Sequence, residues 1–211
     1  MYFSYLKEIF NLKKIDFNLW LLLFLSFFIP FIFWFMPLNP ILTSLLLYGI
    51  IPLVIIVLIF KESPKNFGFS FGNKRKVVFY SIIFSLLLTP IIVMSSFIPD
   101  VNSYYIIKTI NNLSTFFLFE LNNGVLLFFW ELFFRGFILF GLYKKLGKAA
   151  LPIHAIPFAL FHVGKPGVEI VASFFAALLL GQIALKSKSF LPAFVIHWVI
   201  HAEIILLANL Y

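Results

Sequence analysis

The chain has 211 residues, of which 63% are hydrophobic and 11% are charged, and its mean hydropathy is +1.07. So apolar a composition excludes a soluble domain and predicts an all-α, polytopic membrane protein, a bundle of membrane-spanning helices. The net charge of +8 does not indicate nucleic-acid binding, because the basic residues lie beside apolar runs, where they act as topology signals. The absence of cysteine excludes disulfides, thiol catalysis and thiolate-bound metals.

Apolar runs that are separated by charges or turn residues predict seven transmembrane helices. In chain order these spans are 20–36, 41–60, 77–98, 113–143, the short 149–162, 169–185 and 190–209. We expect an N-terminal part, 1–112, with the first three spans and a basic cytoplasmic loop at 61–76, and then a core at 113–209. Residues 1–16 are amphipathic and carry no cleavage pattern, so we expect them to be retained.

The basic residues divide unevenly between the two sides of this predicted bundle. The N-terminus and alternate loops after it carry 13 of the 16, whereas the other side carries only Lys108 and Lys165, and Arg135 lies within a span. Cytoplasmic loops of membrane proteins are enriched in Lys and Arg. The division therefore predicts a multi-pass protein of the cell membrane with its N-terminus in the cytoplasm.

The span 113–143 contains a carboxylate and a guanidinium, Glu131 and Arg135, within a long apolar run. They are four residues apart, so on a helix both side chains lie on one face and each can neutralise the other. Ionisable groups within a span are costly and usually mark an active site, a relay or a transport pathway. The alternative is a structural ion pair that joins two helices.

Three histidines of other spans lie at a depth similar to that of Glu131. At about 1.5 Å per residue from the nearest cytoplasmic lysine, His162, His201 and Glu131 itself lie about 20 Å into the membrane. By the same count His197 lies about 14 Å in, and it shares a helical face with His201. We therefore expect one cavity to collect a carboxylate and three imidazoles.

Such a set of side chains can activate water for hydrolysis. A carboxylate beside an imidazole can remove a proton from water, and buried imidazoles can stabilise an oxyanion or bind a divalent metal. The candidate ligands for a metal such as zinc are Glu131, His162, His197 and His201. The chain lacks the HExxH spacing of many zinc proteases, so a metal-dependent and a metal-free mechanism both remain open.

The C-terminal half of the chain resembles the CPBP family of intramembrane proteases, which includes the type II CAAX prenyl proteases and bacteriocin-processing or bacteriocin-immunity membrane proteins. Three motifs carry the resemblance, in the family order: WELFFR at 130–135 is similar to EExxxR, FALFH at 158–162 to FxxxH, and HWVIH at 197–201 to HxxxN or an HxxxH-like form. The resemblance implies a CAAX-protease-like helical core and a metallo- or glutamate protease. The implied catalytic residues are Glu131, Arg135, His162, His197 and His201.

One position departs from the family pattern. The family has two glutamates before the arginine, and the first is usually assigned as the general base, whereas this chain has Trp130 there. On a helix, residue 130 points about 100° away from Glu131. Either Glu131 has taken over water activation together with His162, or the chain keeps the fold without proteolysis.

We interpret the chain as an intramembrane endopeptidase that cleaves a membrane-tethered protein or peptide, either prenylated and of CAAX type or bacteriocin-like. Glu131 and His162 would activate the water. His197 and His201 would bind the oxyanion or a metal ion. Two alternatives are an inactive membrane scaffold or self-immunity protein, and a proton-coupled transporter. The expected partners are the lipid bilayer and the substrate.

The remaining ionisable groups of the spans are expected to have structural roles. His154 lies near the cytoplasmic end of its span and is predicted to be an interfacial histidine. Glu120, Glu169 and Glu203 are expected to be polar or capping residues rather than catalytic ones.

Overall fold

The computed structural model describes residues 16–210, and for residue 210 the backbone alone. The expectation for the N-terminal segment therefore falls, except for Asp16, outside the described residues. The helices are α1 (Phe17–Phe35), α2 (Pro40–Ile59), α3 (Lys74–Ser96), α4 (Pro99–Tyr105), α5 (Leu113–Glu131), α6 (Gly141–Leu146), α7 (Ala150–Leu160), α8 (Gly167–Ser187) and α9 (Leu191–Leu210). A π-helical segment, Leu132–Phe140, joins α5 to α6.

Within residues 16–210, six helical stretches are long and apolar enough to cross a membrane, which confirms the prediction of a polytopic helical bundle. They are α1, α2, α3, the run Leu113–Leu160, α8 and α9. The run Leu113–Leu160 has 48 residues, and the sequence predicts two spans within it. The structure thus has one membrane-length stretch fewer than the seven predicted spans, and the difference lies at the fifth predicted span, 149–162.

This fifth predicted span is only partly helical. Gly147 has a φ of 56°, a conformation that favours glycine, and it ends α6 within the run Leu113–Leu160. The chain turns back there, and α7 packs against α8 and the π-helical segment. With 11 residues, α7 is about 16 Å long, about half of the hydrocarbon thickness. A non-helical turn at 161–166 follows and carries His162.

Ten basic residues gather at one end of the bundle, which we call the basic end: Lys61, Lys65, Lys74, Arg75, Lys76, Lys144, Lys145, Lys148, Lys186 and Lys188. Backbone hydrogen bonds tie its loops together, from Asn73 N to Ser187 O at 2.8 Å and from Phe190 N to Gly68 O at 3.3 Å. Ion pairs between Lys144 and Glu62 and between Lys145 and Asp16 add to them. The hydrogen bond from Lys145 lowers the pKa of the Asp16 carboxyl. The opposite end carries Lys108 and Lys165.

Aromatic side chains fill the interior of the bundle between the basic end and Arg135. The largest of them are fully buried: Phe67, Phe133, Phe134 and Phe137. Phe67, which belongs to the basic loop, packs against the ring of Phe137, and the two ring centroids are 6.3 Å apart. Burial of this aromatic area stabilises the packing of the π-helical segment against its neighbours.

Candidate active site

Glu131 and Arg135 lie where α5 passes into the π-helical segment. Wide helical turns of this kind occur frequently at functional sites. Neither side chain is exposed, and Arg135 Nε lies 3.1 Å from Glu131 Oε2. The distance is that of an ion pair, but the N–H is not aligned for a hydrogen bond. The ring of Phe158 lies 3.8 Å from the guanidinium and covers its face.

His197 holds the other oxygen of the same carboxylate. Its Nδ1 lies 2.6 Å from Glu131 Oε1. Because an ionised carboxylate can only accept hydrogen bonds, Nδ1 carries the proton and donates it. The His197 side chain is 15% exposed, whereas that of Glu131 is completely buried. The carboxylate is thus fixed by Arg135 on one oxygen and orients His197 with the other.

His162 is held by its own helix. Its Nδ1 lies 2.9 Å from the carbonyl oxygen of Phe158, which can only accept, so here too Nδ1 carries the proton. The ring of Phe158 packs against both imidazoles, with centroids 4.8 Å from His162 and 6.2 Å from His197. The two histidines therefore border the same aromatic ring. Each is left with Nε2 as an unprotonated nitrogen that can accept a proton or a hydrogen bond.

His201 does not join Glu131 but pairs with a different carboxylate. Its Nδ1 lies 3.2 Å from Glu120 Oε1 and 2.9 Å from Asn123 Nδ2. The indole of Trp198 donates to Glu120 Oε2 at 3.0 Å and so fixes the carboxylate from the other side. Glu120 is 5% exposed and His201 17% exposed at the side chain. Of the four groups expected in one cavity, Glu131 and His197 thus form a pair with His162 nearby, whereas His201 pairs with Glu120 instead.

Sequence reasoning assigned Glu120 only a polar or capping role, although its spacing contains a usable signal. Glu120 and Glu131 are 11 residues apart, about three helical turns, and so they lie on one face of α5. His197 and His201 lie on one face of α9. Because each helix has its two residues on one face, two acid–imidazole pairs can form between these helices.

The four predicted ligands do not fit a shared metal site. Within residues 16–209 no three or more His, Cys, Asp or Glu side chains are grouped so as to hold a metal ion. Both oxygens of Glu131 are engaged, and His201 Nδ1 lies at a separate carboxylate. A structural or catalytic zinc needs at least three protein ligands at one point. The contacts of Glu131 and His201 thus do not bring the four predicted ligands to one point.

Trp130 occupies the position of the missing first glutamate. Its ring packs against Tyr48 at 5.4 Å and Phe134 at 5.0 Å between centroids. Its Nε1 is buried and finds no hydrogen-bond partner among the described residues. An indole that packs against these rings thus stands where the family pattern has a carboxylate.

His154 is fully buried within the bundle, and its place at the level of the membrane interface stays a prediction. Its Nδ1 lies 2.6 Å from the Leu151 carbonyl oxygen. A Cβ at Gly181 would come within 2.9 Å of His154 Cε1, so the glycine lets α8 cover the imidazole. Hydropathy along the chain cannot show such a close approach of two helices.

The other two carboxylates have structural partners. Glu169, in the first turn of α8, accepts hydrogen bonds from the Tyr105 hydroxyl at 2.7 Å and from Lys165 at 2.5 Å. Burial, followed by the Glu169 charge, raises the pKa of Tyr105, so its hydroxyl stays protonated and donates. Glu203 accepts from the Thr89 hydroxyl at 2.7 Å.

A helical membrane bundle with a buried carboxylate between a guanidinium and an imidazole defines a class of protein, the polytopic membrane proteins with a polar intramembrane centre. Within that class, residues 112–202 match the family model described as type II CAAX prenyl endopeptidase Rce1-like, which confirms the resemblance to the CPBP and CAAX proteases. The matched region holds all five predicted site residues and covers less than half of the chain. No curated protein and no solved structure matches the chain.

Proposed function

We propose that the chain is an intramembrane endopeptidase that hydrolyses a peptide bond of a membrane-tethered protein or peptide, either a prenylated CAAX-type or a bacteriocin-like one. The family match supports proteolysis, because the matching family is one of endopeptidases. The observation that carries the proposal is the 2.6 Å contact between Glu131 Oε1 and His197 Nδ1, which leaves His197 Nε2 free as a base.

In this mechanism Glu131 positions the base rather than reacting itself. Its carboxylate is completely buried and both of its oxygens are engaged, so an imidazole is better placed to meet water. His197 Nε2 takes the proton as the water oxygen attacks the peptide carbonyl. Glu131 then faces the imidazolium that forms, and Arg135 compensates the carboxylate in the resting state. The role of general base, which the sequence analysis gave to Glu131, thus passes to His197.

His162 is the second residue that we place at the attacking water. Its Nε2, like that of His197, is an acceptor, and both imidazoles border Phe158. A water between two such acceptors donates one proton to each nitrogen and keeps a lone pair for the attack. This arrangement orients the nucleophile before reaction, which lowers the entropic part of the barrier.

The proposal includes the location of the protein, a cell membrane with the N-terminus and the basic end in the cytoplasm. The concentration of Lys and Arg at that end supports it. A site buried within the bundle favours substrates that reach it from the bilayer, where a lipid anchor or an apolar segment would hold them.

Cleavage in proteoliposomes tests the proposal, with a panel of lipidated and bacteriocin-like peptides as substrates. We expect wild type to cleave at least one, and Glu131→Gln and His197→Gln to lose between about 100-fold and 10,000-fold in rate, the usual contribution of a general base. Glu203→Gln is the matched control, because it removes another membrane-embedded carboxylate away from the site and should keep the rate. Equal rates in wild type and Glu131→Gln would overturn the mechanism.

A second candidate function is a membrane scaffold or self-immunity protein without proteolysis, and Trp130 is the observation that favours it. In the related pattern this position carries the base, and here an indole with an unpaired Nε1 occupies it. Trp130→Glu separates the two functions. Cleavage by Trp130→Glu with none by wild type would support the scaffold, whereas cleavage by wild type supports the enzyme.

A further inference from the structure

We infer that Glu120 and His201 form a second acid–imidazole pair, which donates the proton that the leaving amine needs. This inference rests on the hydrolysis proposed above and gives the site its missing general acid. His201 would be the catalytic residue, and Glu120 a positioning residue that acts through it.

The two pairs lie side by side between α5 and α9. Glu120 and Glu131 share a face of α5, and their partners His201 and His197 share a face of α9. Histidines four residues apart have Cβ atoms about 5–6 Å from each other, a distance that one water can bridge. A peptide bond attacked beside His197 therefore lies within reach of His201.

The two pairs differ in their charge balance, and this difference assigns the roles. Arg135 compensates Glu131, so His197 can stay neutral and accept a proton. Glu120 has no Lys or Arg within ion-pair distance among residues 16–209, and its one titratable partner there is His201. A buried carboxylate that no cation compensates is costly. We therefore infer that this second pair carries one proton more than a carboxylate beside a neutral imidazole would.

The groups around the second pair keep that proton available. The neighbours of His201 are the amide of Asn123, with Nδ2 2.9 Å from Nδ1, the ring of Tyr105 at 6.0 Å and the ring of Phe119 at 6.4 Å. An amide N–H only donates, so when Nδ1 carries a proton the Asn123 amide has to present its oxygen to it instead. All three neighbours are uncharged, since the hydroxyl of Tyr105 stays protonated beside Glu169. Trp198 donates to Glu120. The extra proton of the second pair is therefore carried by Glu120 or His201. The other titratable group beside them is His197 on α9.

The proposed step balances in atoms and protons. The water oxygen bonds to the carbonyl carbon and its proton moves to His197 Nε2; the C–N bond then breaks as His201 Nε2 gives its proton to the amine nitrogen. The products are a carboxylic acid and a neutral amine. Transfer of the proton from His197 to His201 through one water restores both pairs.

A comparison of two substrates tests the acid role. A peptide bond needs a protonated leaving group, whereas a matched ester with a nitrophenolate leaving group does not. We expect His201→Gln and Glu120→Gln to cleave the peptide at least about 100-fold more slowly than wild type and the ester within about threefold of it. His197→Gln, which lacks the base, should be slow on both, and Glu203→Gln, the control, should match wild type on both.

Each other outcome has a definite meaning. Equal losses on peptide and ester in His201→Gln indicate a structural role and overturn the inference, as does an unchanged peptide rate. A wild type that cleaves neither substrate overturns the proposed function and the acid role with it. A wild type that cleaves both, with His201→Gln unaffected, overturns the acid role alone.

The charge assignment has a readout that does not depend on cleavage. Nitrogen-15 NMR of histidine-labelled protein in nanodiscs distinguishes singly from doubly protonated imidazoles. In wild type at neutral pH we expect His201 to be doubly protonated and His197 singly protonated, and in Glu120→Gln we expect His201 to become singly protonated. A singly protonated His201 in wild type, with no protonated carboxyl at Glu120, overturns the inference.

Discussion

Arg135 is fully buried, and its guanidinium has a charged partner at Nε alone among the described residues. The NH1 and NH2 groups are buried without hydrogen-bond partners there, and the face of the group lies against Phe158. In the proposed mechanism this ion pair keeps the carboxylate of Glu131 ionised, so that it can orient His197. We therefore expect stability and activity to respond differently when the pair is removed.

Arg135→Met should lower the free energy of unfolding by about 3–5 kcal/mol, because it leaves the Glu131 charge buried without compensation. The double variant Glu131→Gln/Arg135→Met should regain much of that stability, since no charge remains, while its activity stays lost. Reversible unfolding in mixed detergent micelles measures the free energy of unfolding of the single and the double variant. A double variant less stable than Arg135→Met would contradict this account of the pair.

At the scale of elements, the crossing of α5 and α9 determines which side chains meet. Gly124 of α5 lies against Trp198 of α9, and a Cβ at Gly124 would come within 2.8 Å of the indole ring. That close approach places Glu120 beside His201 and Trp198. A larger residue at the crossing would therefore separate the second pair.

Gly124→Ala should destabilise the fold by about 1–3 kcal/mol, because the indole is a rigid ring that must move as a whole. Gly167→Ala is the matched control, since a Cβ there meets nothing within 4 Å. Thermal unfolding of the two variants in one detergent checks the difference. Equal melting temperatures for both variants would show that the crossing tolerates the methyl group.

The sequence predicted the helical bundle and most of its spans, but not the partners of the polar groups. Long apolar runs define the six membrane-length stretches, because a bilayer requires them. A depth counted along a span assumes a straight, untilted helix. Such a depth does not give the direction in which a side chain points. The sequence thus grouped His201 with Glu131, whereas the crossing at Gly124 gives it Glu120. Burial of His154 depends on Gly181 in another helix and could not be seen in the local pattern.

For the whole molecule, the separation of charge between the two ends is the feature on which the proposed orientation rests. Ten basic residues lie at the basic end and two, Lys108 and Lys165, at the opposite one. Lys165 is paired with Glu169, so the opposite end is nearly without free positive charge among the described residues. Such a distribution favours a cytoplasmic basic end.

Cysteine labelling checks this orientation, because the natural chain has no cysteine that would interfere. We expect a membrane-impermeant maleimide to label Asn111→Cys in intact cells and Lys148→Cys only after permeabilisation. Both positions are exposed, on opposite ends of the bundle. The reverse pattern would place the basic end outside and contradict the proposed topology.

The hydrogen bond from His197 Nδ1 to Glu131 is the centre of the account, and proton NMR of the protein in nanodiscs measures it most directly. We predict a strongly downfield N–H resonance in wild type that is absent from His197→Gln and shifts upfield in Glu131→Gln, because an amide oxygen is a weaker acceptor than a carboxylate. The same resonance should persist in Glu203→Gln. A wild-type spectrum without it, or a resonance unchanged in Glu131→Gln, would mean that the carboxylate does not orient the imidazole and would contradict the account.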